Sequence, residues 1–335
     1  MKNLFRTLAV GIPVFTSFGI SCQETPNQTK PNILFIIADD QDYEAIGLLN
    51  SEVRTPHLDR LAEKGTLFTH AYNQGGFSPA VCVASRAMLI TGTYLWKSAE
   101  FSNDGRAWGS NLGRNLPEYN PEYFVPRTEA PGYWPLEMSA AGYDTYFTGK
   151  WHVNHPARNL FDHVGTVRGG MPSQTEERYA RQFSEGEPDT WHPWDTAFGG
   201  FWQGGTHWSE VVYQETRGFL TQSADSDNPF FMYISFNAPH DPRQSPREFV
   251  DMYPVDEISV PGNLMPKYSY AEEIGSGETL RDELLAPFPR TGYAVRKNRQ
   301  EYYAIITHMD EQIGKILDKL EETGQEENTY IIFTS

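Results

Sequence analysis

The chain has 335 residues, of which 39% are hydrophobic and 14% aromatic, with a formal net charge of −17 and only two cysteines. So acidic a protein carries no electrostatic footprint for nucleic acid, and it repels anions at long range. An anion site would have to be built locally from a metal, Arg, Lys and helix N-termini.

The first residues, "MKNLFRTLAVGIPVFTSFGISC", place Lys2 and Arg6 before an apolar stretch too short and interrupted for a stable membrane span. Gly19-Ile20-Ser21-Cys22 resembles a bacterial lipoprotein box. The expected organisation is a lipoprotein-type signal peptide over 1–21, a polar tether over 22–30 and a catalytic domain from 31 to 335. The protein is then exported, as a periplasmic or outer-membrane-anchored lipoprotein or otherwise as a secreted protein. Membrane contact would come only through a lipid on Cys22. About 300 residues remain, enough to bury one large core.

"NILFIIA" (32–38) is a continuous apolar run bounded by Pro31 and Asp39-Asp40, which fits a strand buried on both faces. "TPHLDRLAEKG" predicts a helix, with Thr55 as N-cap, Pro56 first and Gly65 just past the end. "TLFTHAYN" predicts the next strand, and "SRAMLIT" a helix that starts near Cys82. "WPLEMSAAG" and "YDTYFTGKWH" predict a helix, a glycine stop and a strand; "EVVYQETRGFL" and "PFFMYISFNAP" predict another helix and strand. Residues 300–323 carry apolar side chains at three- and four-residue spacing, and "TYIIFTS" (329–335) follows as a strand. Strands alternating with helices predict an α/β fold with a mostly parallel central sheet flanked by helices.

Ligands of open α/β sheets bind beyond the carboxyl ends of the strands. Asp39 and Asp40 follow the first strand, Lys150 and His152 the third, and His240 and Asp241 the fourth. Each alone reads as a turn cap or a solvated charge. Together they would gather two acids, a cation and two histidines at one sheet edge. Adjacent acids suit a hard divalent cation, and without HExxH or CxxC zinc has little support. Cys82, left without a disulfide partner if Cys22 carries lipid, reads on base rates as a small buried hydrophobe. Its place at a helix N-terminus favours a bound anion or an anionic nucleophile, and Arg86 lies one turn on.

At this point the sequence resembles a family. "CVASRAMLITG" resembles the sulfatase signature, Cys-x-Pro/Ala-x-Arg followed by a short helix and Thr-Gly, with Ala84 at the usual Pro position. "PNILFIIADDQ", "GYDTYFTGKWH" and "FFMYISFNAPHDP" resemble further family segments in the same order, and the likeness covers nearly all of 31–335. The resemblance implies an alkaline-phosphatase-like fold and a sulfuric ester hydrolase. It implies that Cys82 is converted to Cα-formylglycine by a formylglycine-generating or radical maturation enzyme. It further implies that Asp39, Asp40 and the residue at 82 hold Ca2+. Arg86 would steady the nucleophile, Lys150 would stabilise the sulfate charge, His152 would be the base and His240 the acid. Lys150 and His152 would share one side of an extended chain.

The family's second metal motif follows a strand like "IIFTS", where this chain stops at Ser335. The expectation is therefore the N-terminal part only of a sulfatase domain, without the C-terminal subdomain, a fragment that binds calcium poorly and is inactive by itself. The substrate expected is a sulfated glycan or a small sulfate ester. His207, Trp202 and Trp208 are the substrate-contact candidates, with Trp191 and Trp194 beside them. The alternatives are a phosphonate or phosphodiester hydrolase on the same scaffold, and a non-catalytic glycan-binding lipoprotein.

Overall fold

The computed structural model describes residues 30–75, 81–95, 132–153, 155–169, 181, 183–201, 205–274, 277–278 and 281–335. The expected signal peptide, the lipidated Cys22 and Trp202 lie outside these residues. The described elements are β1 (Asn32–Asp39), α1 (Pro56–Lys64), α2 (Cys82–Thr91), α3 (Trp134–Ala140), β2 (Asp144–Lys150), β3 (His163–Arg168), α4 (Trp208–Ala224), β4 (Phe230–Pro239), α5 (Arg247–Asp251), α6 (Gly292–Glu322) and β5 (Thr329–Thr334).

The five strands form one sheet in the order β3-β2-β4-β1-β5, and every pairing is parallel. Side chains alternate across it, so consecutive residues of one strand feed two separate cores. Leu34, Ile36, Met232, Ile234 and Phe236 face α4 and α6, where they meet Val212, Leu220, Met309, Ile313 and Ile316. Phe35, Ile37, Phe147, Phe231 and Tyr233 face the other way, onto Ile90, Trp151 and Phe161. This is why β1 and β4 are apolar at nearly every position. Each large side chain so buried stabilises the fold by roughly 1.5–3 kcal/mol.

Three details differ from the sequence expectation. "TLFTHAYN" is not a strand: residues 66–73 form a turn and irregular chain with Phe68 and Tyr72 exposed. Among the described residues, its few apolar side chains have no facing layer to bury them. β3 was not foreseen, because "HVGTVR" is short and half-exposed at the sheet edge and carries no apolar run. α6 starts at Gly292, about two turns before the apolar stripe begins. Thr291 caps it by accepting from the Ala294 N–H at 3.1 Å, and residues 296–301, after its first turn, are polar or charged.

Candidate active site

β1, β2 and β4 are adjacent, and their carboxyl ends deliver Asp39, Lys150 and Pro239 side by side. Asp39 is 3% exposed. One carboxylate oxygen lies 3.3 Å from Arg86 Nη2 and the other is bonded by Lys150 Nζ. Burial alone would raise the Asp39 carboxyl, but the Arg86 and Lys150 cations outweigh it and hold the group below its ordinary range. Arg86 Nη1 also donates to Ser235 Oγ at 2.6 Å and to the Lys150 carbonyl at 3.0 Å, and Ser235 Oγ donates to the same carbonyl at 2.6 Å. The arginine thus ties three strand ends together beneath the site. Its hydrogen bonds run to this floor.

Cys82 is the first residue of α2, whose early backbone N–H groups have no helical partner. Its Sγ lies 3.6 Å from His152 Nδ1. Burial pushes the thiol up, yet hydrogen bonds with His152 and His240, together with the Lys150 charge, bring it down to about 6. A thiol lowered this far is an electropositive microenvironment made visible.

Lys150 and His152 do converge, but the extended chain proposed for them does not exist. His152 has φ +50 and Gly149 φ +106, so the backbone turns sharply on both sides of Lys150. A Cβ on Gly149 would stand 1.8 Å from the Ser235 carbonyl oxygen, which only glycine avoids.

His240 is 3% exposed. Its Nδ1 lies 3.0 Å from the Asp241 carbonyl and 3.1 Å from Asp241 Oδ1; its Nε2 lies 3.3 Å from Asp40 Oδ2. Burial would lower this imidazole, but bonds to Asp241 and Cys82 raise it to about 10. Asp40, by contrast, is raised by burial, partly offset by His240. Asp40, His240 and Asp241 place one ligating atom each within 4.8 Å of one another. The cluster thus holds the His240 imidazole between two carboxylates.

The oxygen donors open onto a cavity of about 160 Å3 lined by Asp39, Asp40, Gln41, Cys82, Arg86 and Ser335, among others. Gln41 is 8% exposed, and its Oε1 has no hydrogen-bond partner among the described residues. The Asp39 and Asp40 carboxylates beside this cavity are hard oxygen donors, which fits Ca2+.

Of the expected substrate contacts, His207 and Trp208 are buried beside His240, lining one small cavity with it. His207 is 2% exposed and caps α4, accepting from the Ser209 N–H at 3.1 Å. Trp208 is 2% exposed, with the Arg168 guanidinium 3.9 Å from its ring centroid. Trp191 is buried beneath Arg181, and Trp194 stacks on His192. Trp191 and Trp208 therefore pack the interior, while Trp194 is half-buried against an exposed His192. Sequence reasoning missed Ser235, Gln41 and the part Asp241 plays. Only Ser235 left a signal: a hydroxyl inside the apolar strand "FFMYISF" must find a partner.

A family model described as Sulfatase matches residues 31–335. The chain belongs to the sulfatase family. Its sheet and flanking helices are those of the alkaline-phosphatase-like fold. This sulfatase chain is 26% identical over 342 residues to an arylsulfatase of Klebsiella aerogenes, covering 91% of this chain and 66% of that protein. Among solved structures it resembles one determined with D-glucosamine-2-N,6-O-disulfate, at 18% identity and a TM-score of 0.56, over 91% of this chain and 65% of that one. A phosphonate monoester hydrolase of Agrobacterium radiobacter also shares the fold, at 18% identity and a TM-score of 0.56, over 91% of this chain and 62% of that one. The sulfatase chain spans between 51% and 66% of the length of the first curated relatives it matches.

Proposed function

We propose that the whole protein hydrolyses sulfate esters of carbohydrates. The observation that carries this reading is the meeting of Cys82, His152 and His240 above an Asp39 already paired with Arg86 and Lys150. Cys82, oxidised to Cα-formylglycine by a formylglycine-generating or radical maturation enzyme, would supply through its hydrate an oxygen nucleophile for sulfur. Ca2+ held by Asp39 and Asp40 would neutralise charge on the sulfate oxygens.

The remaining chemistry belongs to this chain's own groups. His152, beside the side chain at 82, takes up the proton released there. His240 gives a proton to the leaving alcohol as the sulfur–oxygen bond breaks. Lys150 and Arg86 keep the floor of the site positive against a chain of net charge −17. Support for a carbohydrate comes from the leader-like N-terminus, which suits an exported or lipid-anchored protein, and from the structural neighbour that binds a sulfated glucosamine.

The test uses the full-length protein with sulfated sugars, para-nitrophenyl sulfate and a phosphonate monoester. Turnover of the sulfates, lost on chelation and in Cys82→Ala, is the expected result. Faster turnover of the phosphonate would move the protein to the other hydrolase class. Sugar binding without turnover, indifferent to Cys82→Ala, would make it a binding protein.

A further inference from the structure

We infer that His207 is a positioning residue for His240, acting through the main-chain carbonyl of Gln244; the inference rests on the hydrolase reading above.

Beyond β4 the chain carries His240 and then folds back on itself. The His240 N–H donates to the Asn237 carbonyl at 3.0 Å, and the Gln244 N–H to the Pro242 carbonyl at 2.8 Å. Gln244 is fully buried and ends this short loop. From one side it is gripped by residues 195–200: its Oε1 accepts from the Gly200 N–H at 2.7 Å and its Nε2 donates to the Asp195 carbonyl at 2.8 Å. The fit is tight, since a Cβ on Gly200 would stand 2.7 Å from Gln244 Cβ.

From the other side the loop is held by His207, whose Nε2 lies 2.9 Å from the Gln244 carbonyl oxygen. The two ring nitrogens have separate work. Nδ1 accepts from the Ser209 N–H and so caps α4. The proton of a neutral ring must then sit on Nε2, which donates to Gln244. Burial pushes His207 down to about 3, so the ring stays neutral, and His308 packs edge-on at 4.4 Å. Capping needs Nδ1 alone. The second bond ties α4 to the loop that carries His240. His207 and His240 also line one cavity, of about 20 Å3, room for about one water molecule. A slack loop would let His240 drift from its place between Asp40 and Cys82.

Two variants separate the roles. In His207→Asn the amide oxygen stands near the position of Nδ1, so the cap survives while the reach to Gln244 is lost. In His207→Gln the amide nitrogen stands near the position of Nε2, so the bond to Gln244 survives. A para-nitrophenolate leaves without help, whereas a sugar alcohol needs a proton. In the full-length protein, His207→Asn should slow sugar sulfates at least about tenfold more than para-nitrophenyl sulfate. His207→Gln should keep the wild-type ratio within about twofold. Equal loss on both substrates in His207→Asn, or the same ratio change in both variants, would reduce His207 to a cap and overturn the inference. Imidazole nitrogen NMR gives a readout independent of turnover: the His240 resonances should move in His207→Asn and stay in place in His207→Gln. Unmoved His240 resonances in His207→Asn would also overturn it. A wild-type protein that cleaves neither sulfate would instead count against the hydrolase reading, and the NMR comparison would still decide the role of His207.

Discussion

Arg86 and Asp39 form an ion pair sealed under the site, 3.3 Å apart, with side chains only 2% and 4% exposed. The same carboxylate also receives Lys150, which is fully buried. One acid therefore balances two interior cations, and the three strand ends depend on it.

Asp39→Asn should accordingly destabilise the fold even when a chelator removes every divalent ion. Breaking a buried pair costs about 3–5 kcal/mol, because the remaining charge stays buried. Arg86→Lys keeps the charge but gives up the forked donors to Ser235 and the Lys150 carbonyl. It should cost less. Urea denaturation of both variants under chelation checks the order, and an Asp39→Asn midpoint equal to wild type would refute it.

Gly149→Ala should be worse than an ordinary strand substitution. Its φ of +106 and the 1.8 Å approach to the Ser235 carbonyl oxygen leave no room for a methyl group. The strain alone is about 1–3 kcal/mol, and relief requires β2 to part from β4 beside Lys150. A thermal melt read together with turnover should show both falling. Retained turnover at a lowered melting temperature would show that the distortion stops short of Lys150.

Ser235→Ala removes the hydroxyl that accepts from Arg86 and donates to the Lys150 carbonyl, both at 2.6 Å. The cost should be about 1–3 kcal/mol, the penalty of leaving buried polar groups partly unsatisfied. A wild-type midpoint on denaturation would show that water takes its place.

The buried histidines set a pH dependence. His207 and His308 are pushed by burial from an ordinary 6.5 to about 3. Unfolded, each binds a proton below pH 6.5; folded, each refuses it. Their contribution is therefore complete above pH 6.5 and is lost as the pH falls towards 3. The slope is about 1.4 kcal/mol per pH unit for each ring. His308→Gln should flatten the acid limb of unfolding free energy by one such increment between about pH 6 and 4.5. An unchanged slope would mean that His308 titrates normally in the folded protein.

The sequence disclosed most of this layout because its strongest signals are local. The apolar runs of β1 and β4, the boundaries of α1 at Thr55 and Gly65 (though the Thr55 hydroxyl bonds Asp59 and makes no cap), and the Cys-to-Arg spacing of α2 can each be read without neighbours. What escaped depends on the third dimension. β3 exists because β2 offers an edge to pair with, and nothing in "HVGTVR" says so. Trp208 and His207 looked like sugar contacts because aromatic residues outside apolar runs suggest open surface. In the fold, the Arg168 guanidinium and the chain around Gln244 cover them. The partners of Asp39 come from positions 86 and 150, separations that no periodicity links.

Cys82 is only 8% exposed, and it is the first residue of a formed helix. An enzyme that remakes this side chain would have to reach its Cβ, and burial in the folded state stands in the way. If residue 82 is the one remade, maturation has a deadline: it must act while the polypeptide is still open, before β1, β2 and β4 close beneath it. Conditions that speed folding relative to maturation would then leave well-folded molecules with an unconverted thiol. Yield of folded protein and yield of converted protein would be separate quantities.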